Sequence, residues 1–283
     1  MNDVVSITAA RTQFVEADGV RFAYRRFGPR EGVPLVFLQH YRGNLDNFDP
    51  AVTDPLANDR DVIVFDNVGV GATTGSPKST IEAMARDAAV FIDALGLRRI
   101  DLLAHSMGGY VAQQIAIDYP DLLRKLILVG TGPRGGEGMA TRNEYTASLF
   151  AKTYEPQDLM WAPIFFSESL AGQTAARRFF ERTHVRVIDR DAPVSAEAAA
   201  AHGLAARAWG AGKGGQAYLK AIAQPIMIVN GSNDIVVPTI NSFILQQALP
   251  NARLILFPDS GHAAHYQFHD VFVREATAFL DLD

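Results

Sequence analysis

The sequence predicts an α/β fold built on a mostly parallel, eight-stranded sheet with helices on both faces. Three observations predict it. Short runs rich in β-branched residues alternate with longer stretches of helical periodicity. Several of the short runs are apolar throughout rather than alternating, as strands covered on both faces must be. No repeat of fixed period and no low-complexity linker divides the chain.

The elements follow in order. Strands are expected at 13–17, 21–27, 35–39, 61–65, 100–104, 126–129, 226–229 and 253–257. Asp18-Gly19 between the first two is a hairpin turn signal, so the sheet begins antiparallel. Thr80 is the expected N-cap of a helix over 81–95, with Gly96 suited to its C-terminal end. A second helix over 107–119 follows the fifth strand and is stopped by Pro120. Residues 131–212 break the rhythm: a Gly-rich opening, then helical, aromatic-rich stretches, then an Ala-rich helix over 196–209 beginning at Ser195. This segment reads as a helical lid inserted into one domain spanning 1–283, whose core is 1–130 and 213–283. A last helix over 271–280 closes the chain.

Composition narrows the function. At 283 residues with 48% hydrophobic and 20% charged residues, the chain is an ordinary globular protein. Zero cysteines exclude disulfides, thiolate-bound metals, iron–sulfur clusters and a cysteine nucleophile. A net charge of −5 and a pI near 5.8 argue against nucleic acid or an anionic membrane surface as partner. The longest apolar runs fall far short of the ~20 residues that span a bilayer. Residues 1–11 contain Asp3 and lack the apolar stretch of a signal peptide, so the expected location is cytoplasmic.

The strongest chemical signal is Leu102-Leu-Ala-His-Ser-Met-Gly-Gly109, a buried-type strand running straight into a helix with serine at the junction. It follows the pattern G-x-S-x-G, with Ala104 in the first glycine position. Such a turn holds Ser106 above the sheet edge, and the Met107 N–H at the helix start can stabilise an oxyanion. A base and an acid are needed. His262, in Asp259-Ser-Gly-His262, follows the last strand, and Asp234, in Gly231-Ser-Asn-Asp234, follows the seventh. The order Ser, Asp, His along the chain resembles that of the α/β-hydrolase superfamily. Within it, the sequence is similar to the esterase, lactonase and cofactor-free haloperoxidase-like branch.

The resemblance implies a serine hydrolase acting on a small or medium carboxylic ester, lactone or related acyl compound. Its site would be the triad Ser106, Asp234 and His262, with no cofactor and no metal. Family members usually carry His-Gly after the third strand, where the residue after histidine gives the second oxyanion N–H. Here His40 is followed by Tyr41, which remains the best donor because a backbone N–H survives any side chain but proline. Arg42, next in that loop, is a candidate grip for an anionic group on the substrate. Haloperoxidase or perhydrolase chemistry, C–C bond hydrolysis and a ligand receptor on the same scaffold remain open alternatives.

Other polar patterns carry less. Asp66-Asn-Val-Gly-Val-Gly71 has the first two glycines of a dinucleotide loop but Thr74 in place of the third, so Asp66 reads as structural. His262, His265 and His269 are spaced for one helix face, but no H-E-x-x-H occurs and Gly261 marks a loop. His265 and His269 therefore read as helix-start or surface residues. The charges around 177–182 read as a solvated face.

Overall fold

The computed structural model describes residues 6–213 and 215–282; the first five residues of the stretch read for a leader lie outside it. Eight strands, β1 (Gln13–Ala17), β2 (Val20–Phe27), β3 (Leu35–Leu38), β4 (Val62–Phe65), β5 (Ile100–His105), β6 (Leu123–Val129), β7 (Ile226–Gly231) and β8 (Ala252–Phe257), form one sheet. Its order is β1-β2-β4-β3-β5-β6-β7-β8. The β1–β2 and β2–β4 pairs are antiparallel and all the others parallel. The hairpin turn is as expected: Asp18 and Gly19 both take positive φ, 48° and 74°, between the paired ends Ala17 and Val20.

The central strands are apolar throughout because both faces of the sheet are covered. Leu35, Phe37, Val62, Val64, Leu103, Ile127 and Val229 enter one core, packed with α1 (Pro50–Leu56) and the C-terminal α9 (Ala264–Gln267) and α10 (His269–Asp281). Their neighbours Val36, Leu38, Ile63, Leu102, Ala104, Leu126 and Ile228 enter the other, against α2 (Ile81–Ala94), α3 (Met107–Asp118) and α8 (Ile240–Ala248). Alternation of side chains along each strand divides one run of residues between two cores.

Between β6 and β7 the chain forms the lid-like helices α4 (Glu144–Ala151), α5 (Trp161–Phe165), α6 (Leu170–Thr183) and α7 (Ala196–Gly210). Ser195 caps α7 through the Ala198 N–H, and Thr80 caps α2 through the Ala83 N–H, as their positions predict. No helix among the described residues is long and apolar enough to cross a membrane.

The structure corrects three expectations. β6 begins at Leu123, three residues early, and its two cationic side chains find partners within the fold. Arg124 forms two hydrogen bonds with Asp101, and buried Lys125 donates to the carbonyls of Phe279 and Leu280 at the end of α10. Arg182 of α6 is not part of a solvated face: its guanidinium donates to both oxygens of Asp49. That carboxylate is fully buried and also caps α1. His265 stands at the start of α9, as a helix-start residue, but is buried rather than on the surface.

Candidate active site

Ser106 stands at the C-terminal end of β5 with φ 55° and ψ −117°, a left-handed backbone that non-glycine residues rarely adopt. The turn is over-determined. The Ser106 N–H donates to the Val129 carbonyl at 2.8 Å, and the Thr131 hydroxyl donates to the Ser106 carbonyl at 2.9 Å. Two glycines let α3 start so close to the sheet. A β-carbon on Gly108 would lie 2.5 Å from the Leu38 carbonyl oxygen, and one on Gly109 would lie 2.4 Å from the Thr131 hydroxyl.

The three residues separated in sequence meet here. His262 Nε2 lies 2.7 Å from Ser106 Oγ, and His262 Nδ1 lies 2.8 Å from Asp234 Oδ2. Asp234 is itself fixed, because its Oδ1 accepts the N–H groups of Val236 and Val237 at 2.8 and 3.0 Å. The ring of His262 is therefore oriented by a carboxylate whose other oxygen is already spoken for by the backbone. Asp259, which precedes His262 by three residues, is exposed and accepts from the Ser169 hydroxyl at the start of α6.

Behind the site lies a group of buried imidazoles. His105 Nε2–H donates to the carbonyl of His262 at 3.0 Å, which holds the loop carrying that residue. His40 Nδ1–H donates to the Tyr41 carbonyl at 3.0 Å and braces the neighbouring loop, the structural role its position suggests. Burial lowers the His40 pKa from 6.5 to about 3. Burial, and then the neighbouring imidazoles, also hold His105 and His265 well below the usual range. These rings are neutral at physiological pH, so each has one bare nitrogen; His40 Nε2 has no partner among the described residues.

Ser106 and His262 line a cavity of about 340 Å³, together with Tyr41, Met107, Tyr110, Phe150, Trp161, Phe165, Val236 and others. Met107 opens α3, where the first N–H groups have no partner within the helix. Tyr41 reaches the same cavity, and its ring packs on Phe150 of α4 and near His202 of α7, at centroid separations of 5.7 and 6.4 Å. The bulk that replaces the expected glycine is thus taken up against the lid-like helices.

Arg42 is not among the cavity-lining residues. It takes φ 60° in the turn closed by the Gly43 N–H to the His40 carbonyl, with its guanidinium carbon 6.0 Å from the Tyr41 ring. The cavity's guanidinium groups belong instead to Arg142 and Arg207, at the two ends of the helical insertion. No periodicity pointed to them, because their meeting depends on how the insertion folds back over the sheet. His269 stands by Asp270 at the start of α10, apart from His265. Among the described residues no group of three or more His, Asp or Glu is placed to hold a metal ion.

A family model described as alpha/beta hydrolase fold matches residues 33–268, which takes in Ser106, Asp234 and His262. The chain belongs to the α/β-hydrolase family. An alpha/beta hydrolase fold protein from Chitinophaga pinensis is 37% identical, with a TM-score of 0.92, over 98% of this chain and 100% of that one. The dihydrolipoyllysine-residue acetyltransferase component of the acetoin cleaving system of Cupriavidus necator is 28% identical over 92% of this chain; the chain spans 66% of that relative's length. A proline iminopeptidase of Pestalotiopsis fici is 27% identical over 95% of this chain and 99% of its own. The fold and these relatives support a hydrolase-type enzyme of the α/β-hydrolase superfamily.

Proposed function

We propose that this protein is a serine hydrolase of the esterase and lactonase branch, cleaving a small or medium carboxylic ester, lactone or related acyl compound. The observation that carries the reading is the hydrogen-bond chain Ser106–His262–Asp234, built on a strained turn at the floor of a cavity. In this reading Ser106 Oγ attacks the acyl carbon as its proton passes to His262 Nε2. Asp234 stabilises the imidazolium, and the N–H groups of Met107 and Tyr41 receive the oxyanion. His262 then gives the proton to the leaving oxygen as the C–O bond breaks. Water, losing a proton to the same nitrogen, attacks the acyl-enzyme; the acid is released and Ser106 regains its hydrogen.

The insertion at 131–212 serves as the lid of a single domain, because Arg142, Phe150, Trp161, Phe165 and Arg207 supply cavity wall from it. No step calls for a metal or cofactor, and cytoplasmic location is part of the same proposal.

A panel of short-chain 4-nitrophenyl esters and simple lactones tests it. The wild type should turn over many equivalents of at least one, and Ser106→Ala none. An organophosphonate should add one covalent mass to the wild type and none to the variant. Labelling of another serine with Ser106 untouched would reject the assignment, and tight binding without turnover would favour a receptor.

A further inference from the structure

Two cations at the cavity mouth have no part in the acyl chemistry. Arg142 precedes α4 and Arg207 lies in the last turn of α7; both line the cavity that holds Ser106. Arg142 is held over aromatic faces, its guanidinium carbon 3.9 Å from the Phe150 ring centroid and 5.4 Å from that of Tyr41. On α7, Gly203 marks where Tyr41 comes near Arg207. A β-carbon there would stand 3.3 Å from Arg207 Nη1 and 3.7 Å from the Tyr41 hydroxyl, so these two groups flank one point.

The charges are unbalanced. No aspartate or glutamate lines the cavity, and among the described residues neither arginine forms a salt bridge. Burial of the Arg142 head and the nearby charge of Arg207 both lower its proton affinity, while the Tyr41 hydroxyl works the other way. The whole chain carries −5, so a paired cationic rim runs against its overall sign. Two guanidinium groups sharing a partly desolvated site repel one another until an anion enters between them. Their planar forks match a carboxylate.

We infer that the cavity mouth is an anion subsite formed by Arg142, Arg207 and the Tyr41 hydroxyl, and that the acyl substrate carries a second, ionised carboxylate remote from the scissile carbonyl. The reaction, though not the binding, rests on the serine-hydrolase proposal. The departure of Tyr41 from the family's glycine belongs to the same device, since its ring supports Arg142 and its hydroxyl stands beside Arg207.

Two measurements separate the subsite from the chemistry. The first compares the 4-nitrophenyl half-ester of glutaric acid with 4-nitrophenyl valerate, matched in chain length. The wild type should favour the anionic ester in kcat/KM by about 10-fold to 100-fold at low salt, as charge-assisted hydrogen bonds allow. The preference should shrink as salt rises and fall toward one in the double variant R142Q/R207Q. The second measures binding of glutarate itself by calorimetry, with no turnover required. Binding should be at least about tenfold weaker in the double variant, whose fold is checked by circular dichroism. Neither residue belongs to the buried core, so their replacement spares it. A wild-type preference near one, or glutarate binding that ignores both arginines, overturns the subsite whether or not esters are cleaved. Arginine-dependent glutarate binding with neither ester turned over upholds the subsite and rejects the serine-hydrolase reading.

Discussion

Acidification from pH 7.5 to 5.5 is expected to destabilise this protein steeply, because four imidazoles are buried in their neutral form. His40, His105 and His265 pack on one another, with centroid separations of 5.3 Å for His40–His105 and 4.7 Å for His105–His265. His202 is buried separately in α7, and neither of its ring nitrogens has a partner among the described residues. Burial lowers the pKa of His40 to about 3 and of His202 to about 4, and His105 and His265 are lowered too. The unfolded chain takes up these protons near the ordinary 6.5, while the folded chain refuses them until far lower. Stability is therefore full above about pH 6.5 and is lost as pH falls toward the folded values.

His40 and His202 together cost about 3 kcal/mol at pH 5.5 relative to pH 7.5, and His105 and His265 add to the loss in the same direction, a large share of the whole stability of many domains. Asp66 and Asp191, raised chiefly by burial, gain protons in the folded state and offset part of this. Urea unfolding followed by tryptophan fluorescence at pH 7.5, 6.5 and 5.5 measures the slope. His265→Leu removes one group, so the loss between the end points should shrink. Stability constant to about 1 kcal/mol across the range would refute the reasoning. So would an unchanged slope in His265→Leu.

Asp234→Asn should keep the fold and lower kcat by about ten-thousand-fold. Because the Val236 and Val237 N–H groups claim the oxygen, the new amide must turn its NH2 toward His262 Nδ1, leaving the proton on the nitrogen that faces Ser106. Near-normal kcat in a folded variant would move the acid's role elsewhere. Arg182→Ala should cost about 3 kcal/mol, since it strands the buried Asp49 carboxylate, and a thermal melt within 1 °C of wild type would contradict the ion pair's importance. Dialysis against a strong chelator should leave ester turnover intact, and activity that vanishes and returns with one metal would revive a metal role.

The strands were legible because burial on both faces writes itself into a short stretch as an unbroken apolar run, as at residues 226–229 of β7. The serine turn was legible for a similar reason: a sharp strand-to-helix junction restricts Ala104, Gly108 and Gly109 within a few positions of Ser106. Charge patterning misled where partners lay far along the chain. Arg124 and Lys125, at the start of β6, find their partners in Asp101 and the end of α10. Arg182 looked solvated until α6 settled against Asp49. Sequence order proposed Asp234, but only folding brought it to His262 and turned Asp259 to Ser169. The cationic rim is the clearest case. Arg142 and Arg207 sit at opposite ends of an insertion with no pattern linking them, while Arg42, next to Tyr41 in sequence, stays outside the cavity. Local backbone preference and burial are short-range and leave marks in neighbouring residues. Which charges face one another depends on how distant segments pack, and that is decided only when the insertion closes over the sheet.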